Sequence, residues 1–355
     1  MKFAYIAILF FQSTFLAALP LKNEVQYEVK VHPGTELLHI VNYLAGVNQP
    51  LVKKSSYLDD VDEWFGEYIN HPAVKHAKEL PYNDFADLGW CFEGKDMNLS
   101  IPDRYGYFGH LISTGYLEKY LKLSQQFAQD TRFWDFYQEQ ESNFRNWENE
   151  FTAALERDLP LQALDDFFKV PFDKVIYFSI SPMGTSLKAN LFLDEINPKF
   201  INYAPVIIPY DRNFVAQEST EPNFEYHHLA LTNSVWHEVS HLYWEEINGG
   251  FREEIGRLTY SDDYTSNFNT FDDRELNTYF FVHELVADGV AIFLKKEFID
   301  EDLAEEHLLI NESVGGMLFR DFVQLVESQY YYNREEKNFR KFIPQFIEMI
   351  ENKNP

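Results

Sequence analysis

Apolar residues recur with a helical period from about Glu36 to Ala45, Tyr57 to Ile69, Leu111 to Phe127 and Phe133 to Leu155, which predicts a helical first half. The period then changes. Lys174-Val175-Ile176-Tyr177-Phe178-Ser179-Ile180 and Ala204-Pro205-Val206-Ile207-Ile208-Pro209-Tyr210 are short runs rich in β-branched and aromatic residues, and they predict strands. The prolines flanking the second suit a sheet edge, where a missing N–H costs nothing. Helical spacing returns at Val235, Val239 and Leu242 and should stop near Gly249-Gly250, because glycine readily takes the left-handed cap conformation. A largely apolar helical run covers residues 278–294. Three further helical segments are expected from near Asp302, Gly316 and Glu336. The expected fold class is α+β, mainly helical, with a small sheet packed on the helix that contains Val235 to Leu242.

That helix carries His237-Glu238-Val239-Ser240-His241, the pattern H-E-x-x-H. Residues at i and i+4 share a helix face, so both imidazoles can reach one metal ion, with a carboxylate beside them. Val235, Val239 and Leu242 lie on another face, as a helix packed on one side and open on the other requires. A catalytic zinc takes three protein ligands and a water, so one more ligand is needed. Metzincins supply a later His after a Gly, but Trp244 and Ile247 stand at those places, which excludes that class. In the run 278–294 the only acids are Glu284 and Asp288, one turn apart. An ionised carboxylate in an apolar helix is costly unless paired or metal-bound. Glu284 is therefore the candidate third ligand. Asp288 can accept the Nδ1 proton of a ligand histidine and fix its tautomer.

At these residues the chain resembles the gluzincin metallopeptidases, the thermolysin-like group in which H-E-x-x-H is followed on a second helix by Glu-x-x-x-Asp. The match is His237-Glu238-Val239-Ser240-His241 and Glu284-Leu285-Val286-Ala287-Asp288, within about 60 residues. The resemblance implies that His237, His241 and Glu284 bind Zn2+, that Glu238 is the general base, and that Asp288 supports a ligand. His283 takes the place where some members have an Asn that contacts the substrate backbone. The hydrophobic pattern places a helical N-terminal region over residues 19–169 and a second region with C-terminal helices over 170–355, and the resemblance implies that the second is a zincin-like catalytic domain. It implies a peptide or protein substrate lying along an edge strand. The aminopeptidase signature Gly-x-Met-Glu-Asn is absent. The overall layout is also similar to an uncharacterised secreted bacterial family classified only as a domain of unknown function.

Met1-Lys2, the apolar run from Phe3 to Phe11 and the small residues Ala17-Ala18 predict a signal peptide over residues 1–18, hence a secreted or periplasmic protein. Gln12 and Ser13 interrupt the run and argue against a permanent membrane span. Cys91 is the single cysteine, so no internal disulfide forms and no lipid-bearing Cys follows the signal. A net charge of −27 argues against nucleic-acid and anionic-membrane partners. The acidic loop Ser261–Asn267 with Asp272-Asp273 lacks calcium-loop spacing and reads as a substrate rim. Trp64, Trp90, Trp134 and Trp147 suggest either a sugar-binding face or core, and helical spacing favours core. The same holds for Tyr330, Tyr331 and Tyr332 as oxyanion donors. Asn98-Leu99-Ser100 and Asn311-Glu312-Ser313 match the glycosylation pattern, which matters only in a eukaryotic secretory pathway. Two other functional readings stay open. One is an exported glycan- or protein-binding protein with a structural or vestigial zinc site, which would not require Glu238. The other is a zinc amidase acting on cell-wall peptide.

Overall fold

The computed structural model describes residues 25–79, 86–100, 114–170, 172, 175–184, 188–189, 199–203, 221–258, 274–313, 318–332 and 338–352. The signal segment 1–18, the expected strand 204–210 and the acidic loop at 261–273 lie outside them.

Strands from distant stretches of chain meet in one sheet. β1 (Tyr27–Val31) is followed by a small antiparallel hairpin of β2 (Phe92–Glu93) and β3 (Asn98–Leu99), and then by β4 (Ile176–Ile180), β5 (Lys188–Ala189) and β6 (Lys199–Tyr203). The larger sheet has the order β1-β4-β6-β5. β1 and β6 both run parallel to β4, with Val31 opposite Ile180 and Ile180 opposite Tyr203, and β5 is antiparallel to β6. Ile176, Phe178, Ser179 and Ile180 are all fully buried, so β4 has the two-sided burial of an internal parallel strand. β1 joins the region before residue 170 to the sheet of the region after it.

Thirteen α-helices among the described residues supply the rest of the fold. α1 (Pro33–Ala45) starts on His32, whose Nδ1 accepts the Thr35 amide, and ends on Gly46 in the left-handed conformation. α2 (Ser56–Phe65) is capped by Ser55, and α3 (Pro72–Ala77) follows. Next come α4 (Thr114–Asp130), α5 (Phe133–Glu139), α6 (Glu141–Asp158) and α7 (Pro160–Phe168). The stretch Phe133 to Leu155, expected as one helix, is divided at Gln140. The Gln140 side chain donates to Asp60 at 2.8 Å and accepts from Asn143 at 2.7 Å, tying the junction to α2. The C-terminal part contains α8 (His228–Asn248), α9 (Arg252–Gly256), α10 (Arg274–Phe298), α11 (Glu301–Ser313), α12 (Leu318–Leu325) and α13 (Phe339–Asn352). The fold is thus mainly helical α+β with a small sheet. No helix among the described residues is long and apolar enough to cross a membrane.

One apolar core extends from Val31 to Ile350. Trp90 and Trp147 belong to it, and Trp64 and Trp134 pack half-buried against it, so the tryptophans form no exposed sugar-binding face. Tyr330 is buried, with its hydroxyl donating to the Phe167 carbonyl, and Tyr332 is exposed and donates to Glu297. α8 packs on α7 and α13 and most extensively on α10, and it also meets β5 and β6. Trp236 donates to the Pro160 carbonyl at 3.0 Å, and Tyr243 stacks on Phe168 with centroids 4.7 Å apart. These contacts fix the rotation of α8 about its axis and so the direction in which its histidines point.

Candidate metal centre

α8 and α10 face each other through one apolar and one polar surface. Val235, Val239 and Leu242 are fully buried in the core, as are Leu285, Val286 and Val290 on α10. Away from that core, His237 and His241 of α8 project toward Glu284 of α10. The Nε2 atoms of the two histidines are 3.3 Å apart. Glu284 Oε2 lies 3.5 Å from His237 Nε2, and Glu284 Oε1 lies 3.7 Å from His241 Nε2. Donor atoms about 2.0–2.2 Å from one ion in tetrahedral array stand about 3.3–3.5 Å apart, so this triangle matches a shared cation better than a direct ion pair. Among the described residues, His237, His241 and Glu284 form the group that can hold a metal ion.

The surrounding groups agree with that use. His237 Nδ1 is 2.7 Å from Asp288 Oδ1, an interaction that directs the Nδ1 proton to the carboxylate and leaves Nε2 facing the triangle. Asp288 Oδ2 also accepts from Asn311 Nδ2 at 3.4 Å. Glu238, next to His237 in sequence, is buried. His241 is more deeply placed than the other two donors, with a side chain 4% exposed against 21% for His237 and 30% for Glu284. The centre therefore opens toward solvent on the side of Glu284 and His237. Two imidazoles and a carboxylate are a donor set that can hold a divalent metal ion.

Protonation reflects the crowding of acids. Burial disfavours the charged form of His237, but the hydrogen bond and charge of Asp288, with Glu238 and Glu284, outweigh it and hold the imidazolium up to about 10. Burial, reinforced by Asp288 and Glu238 against the opposing pull of His237, raises Glu284 to about 7. Burial and the neighbouring His237 and His283 push His241 well down, so it is a neutral donor. Burial would raise Asp288, but its bonds and charges toward His237, His307 and Asn311 lower it.

His283 is turned away from the donor triangle. It is 1% exposed, and its Nε2 lies 2.9 Å from Glu245 Oε1. The Tyr279 hydroxyl donates to the same Glu245 oxygen at 3.0 Å and accepts from Asn248 Nδ2 at 2.8 Å. This network joins α8 to α10 and gives His283 a structural place. His227 caps α8 and His228 pairs with Asp158 at 3.0 Å, both outside the donor triangle. The support that α11 gives Asp288 has no motif in the sequence. Its one trace is that His307 and Asn311 are polar residues one turn apart on the half-buried face of α11. Protein-family models, curated proteins and solved structures yield no match to the chain.

Proposed function

We propose that the chain is an exported zinc metallopeptidase of gluzincin type that hydrolyses peptide bonds. The observation that carries this reading is the donor triangle of His237, His241 and Glu284, with Asp288 behind His237 and Glu238 near enough for its charge to act on His237 and Glu284. A zinc ion held there would supply the Lewis acidity that makes water a usable nucleophile near neutral pH and polarises a carbonyl. Glu238 would take the proton of the attacking water and deliver it to the leaving nitrogen as the C–N bond breaks. Asp288 would keep His237 in one tautomer throughout, and Glu284 would contribute negative charge without adding a third imidazole. The zincin-like core is part of this reading and is supported by a mixed sheet whose antiparallel strand β5 packs over α8. Export rests on the segment Met1–Ala18.

Two histidines and one carboxylate also suit non-haem iron, and Glu238 favours hydrolysis, because a proton acceptor beside the ligands is what activation of water requires. The test is metal content and cleavage of a quenched peptide library, measured together on the mature wild type, Glu238→Gln and Glu284→Ala. The expected result is about one zinc per wild-type chain and peptide cleavage, metal retained but cleavage lost in Glu238→Gln, and metal weakened in Glu284→Ala. Wild type without zinc, or Glu284→Ala with unchanged affinity, would overturn the assignment. Zinc without cleavage of any peptide would favour the amidase or the binding protein.

A further inference from the structure

α11 contributes no metal donor, yet two of its side chains reach the carboxylate behind His237. Asn311 Nδ2 donates to Asp288 Oδ2 at 3.4 Å. His307, one turn earlier, places Nε2 3.9 Å from Asp288 Oδ1, and its Nδ1 is 3.1 Å from Lys295 Nζ. An ammonium group can only donate, so the His307 Nδ1 accepts and the ring proton sits on Nε2, the nitrogen that faces Asp288. Lys295 and Asp288 are seven residues apart on α10, two helical turns, and so lie on one face. Asp288 therefore has, besides His237, the Asn311 amide hydrogen-bonded to one oxygen and, near the other, the His307 ring, whose Nε2 at 3.9 Å is beyond hydrogen-bond length and acts on the carboxylate by its dipole and bulk.

We propose that Asn311 and His307 are positioning residues of the metal centre, holding the Asp288 carboxylate in the plane in which it receives the His237 proton. The proposal rests on the metal-site reading above. A carboxylate on a helix has rotamer freedom, which the Asn311 hydrogen bond narrows directly and the His307 ring narrows by standing beside Oδ1. His237 Nε2 is aimed at the donor triangle only while Nδ1 is fixed by Asp288, so α11 acts on metal affinity through two intermediate residues. Asn311 Nδ2 is also the atom to which a glycan at Asn311-Glu312-Ser313 would be attached. Its use by Asp288 sets that sequence apart from Asn98-Leu99-Ser100, whose Asn98 is exposed on a hairpin.

The test is a double-mutant cycle read as zinc affinity by chelator competition, with circular dichroism and thermal melting of the metal-free proteins. Asp288→Asn should weaken zinc binding on the order of 10- to 100-fold, and Asn311→Leu or His307→Leu, acting one step further out, about three- to tenfold. In the Asp288→Asn background, Asn311→Leu should weaken zinc binding no further, because its effect passes through the missing carboxylate. Full additivity, or normal affinity in both α11 variants while Asp288→Asn is impaired, overturns the proposal and leaves the metal site standing. Absence of zinc binding by the wild type ends both readings. If a leucine variant does not fold, Asn311→Ser and His307→Asn remove the same contacts with smaller side chains and carry the same comparison.

Discussion

Asp288 lies one helical turn beyond Glu284 on α10 and 2.7 Å from the Nδ1 atom of His237 on α8. The spacing assigns the two acids different tasks, one in the donor triangle and one behind it. His241 lacks such support: among the described residues its Nδ1 has no hydrogen-bond partner. Orientation of the two imidazoles therefore differs in origin, with His237 held by a carboxylate and His241 by burial.

That difference predicts unequal sensitivity to the shell around the centre. Asp288→Asn keeps the side-chain shape and removes the charge, so a metal ion held by the triangle should dissociate more readily by on the order of 10- to 100-fold. In the metal-free protein the same change should lower the His237 pKa, since Asp288 supplies the largest influences that raise it. Histidine NMR titration of wild type and variant checks the second statement. An unchanged His237 titration would mean that the contact does not govern its protonation.

Much of this centre was legible in the sequence because its information is local. The i and i+4 spacing fixes the relative directions of His237 and His241 once a helix forms, and the same holds for Glu284 and Asp288. The apolar surroundings of those two acids made them conspicuous, because buried charge requires a partner. Less could be read where contacts join distant stretches. β1 is a five-residue strand, YEVKV, whose parallel partner β4 lies about 150 residues later, and nothing in its own pattern specifies that register. The roles of His307 and Asn311 depend on how α11 docks on α10, and the break at Gln140 depends on Asp60 of α2. Each needs tertiary packing to become visible.

pH should control metal affinity. The metal-free protein holds a proton on His237 up to about 10 and on Glu284 up to about 7, and metal binding must displace both. Affinity should fall about tenfold per pH unit from 9 to 7, and more steeply below 7 as Glu284 also takes up a proton. Stability of the metal-free chain follows the opposite course. Both values lie above the ordinary 6.5 for histidine and 4.5 for glutamate, so their stabilising effect is complete below those values and is lost as pH rises through about 7 and about 10. Chelator competition and thermal melts at pH 6, 7, 8 and 9 check both trends. A flat affinity across that range would contradict the proton displacement.

A second titration lies far from the metal centre. Glu36 of α1 is fully buried and accepts from the Tyr57 hydroxyl at 2.8 Å and from Ser181 Oγ at 2.5 Å. Burial outweighs those two bonds and raises the carboxyl from 4.5 to about 7. Between those values the unfolded chain is ionised while the folded one keeps its proton, so this group costs more stability as pH rises and levels off above about 7. The loss amounts to about 3 kcal/mol. Glu36→Gln cannot ionise and can still accept from Tyr57 while its amide bonds Ser181. Its melting temperature should exceed that of the wild type at pH 8 and approach it near pH 5. A difference independent of pH would rule out ionisation of Glu36 as the cause.

Packing behind Asp288 gives the last prediction. Gly289 follows Asp288 on α10, and a Cβ placed there would meet Phe322 Cδ1 of α12 at 2.2 Å. No side chain fits at that distance, so glycine is required by close approach rather than by its backbone freedom. Phe322 is itself fully buried against Phe339 and Phe346, which leaves its ring little room to withdraw. Gly289→Ala should therefore destabilise the fold by about 1–3 kcal/mol through overpacking, despite the better helix propensity of alanine. Adding Phe322→Leu should recover part of that loss, because the smaller side chain vacates the space the new methyl needs. Denaturant unfolding of the two single variants and the double variant measures the coupling. Additive losses would show that the Gly289–Phe322 contact does not set the α10–α12 distance.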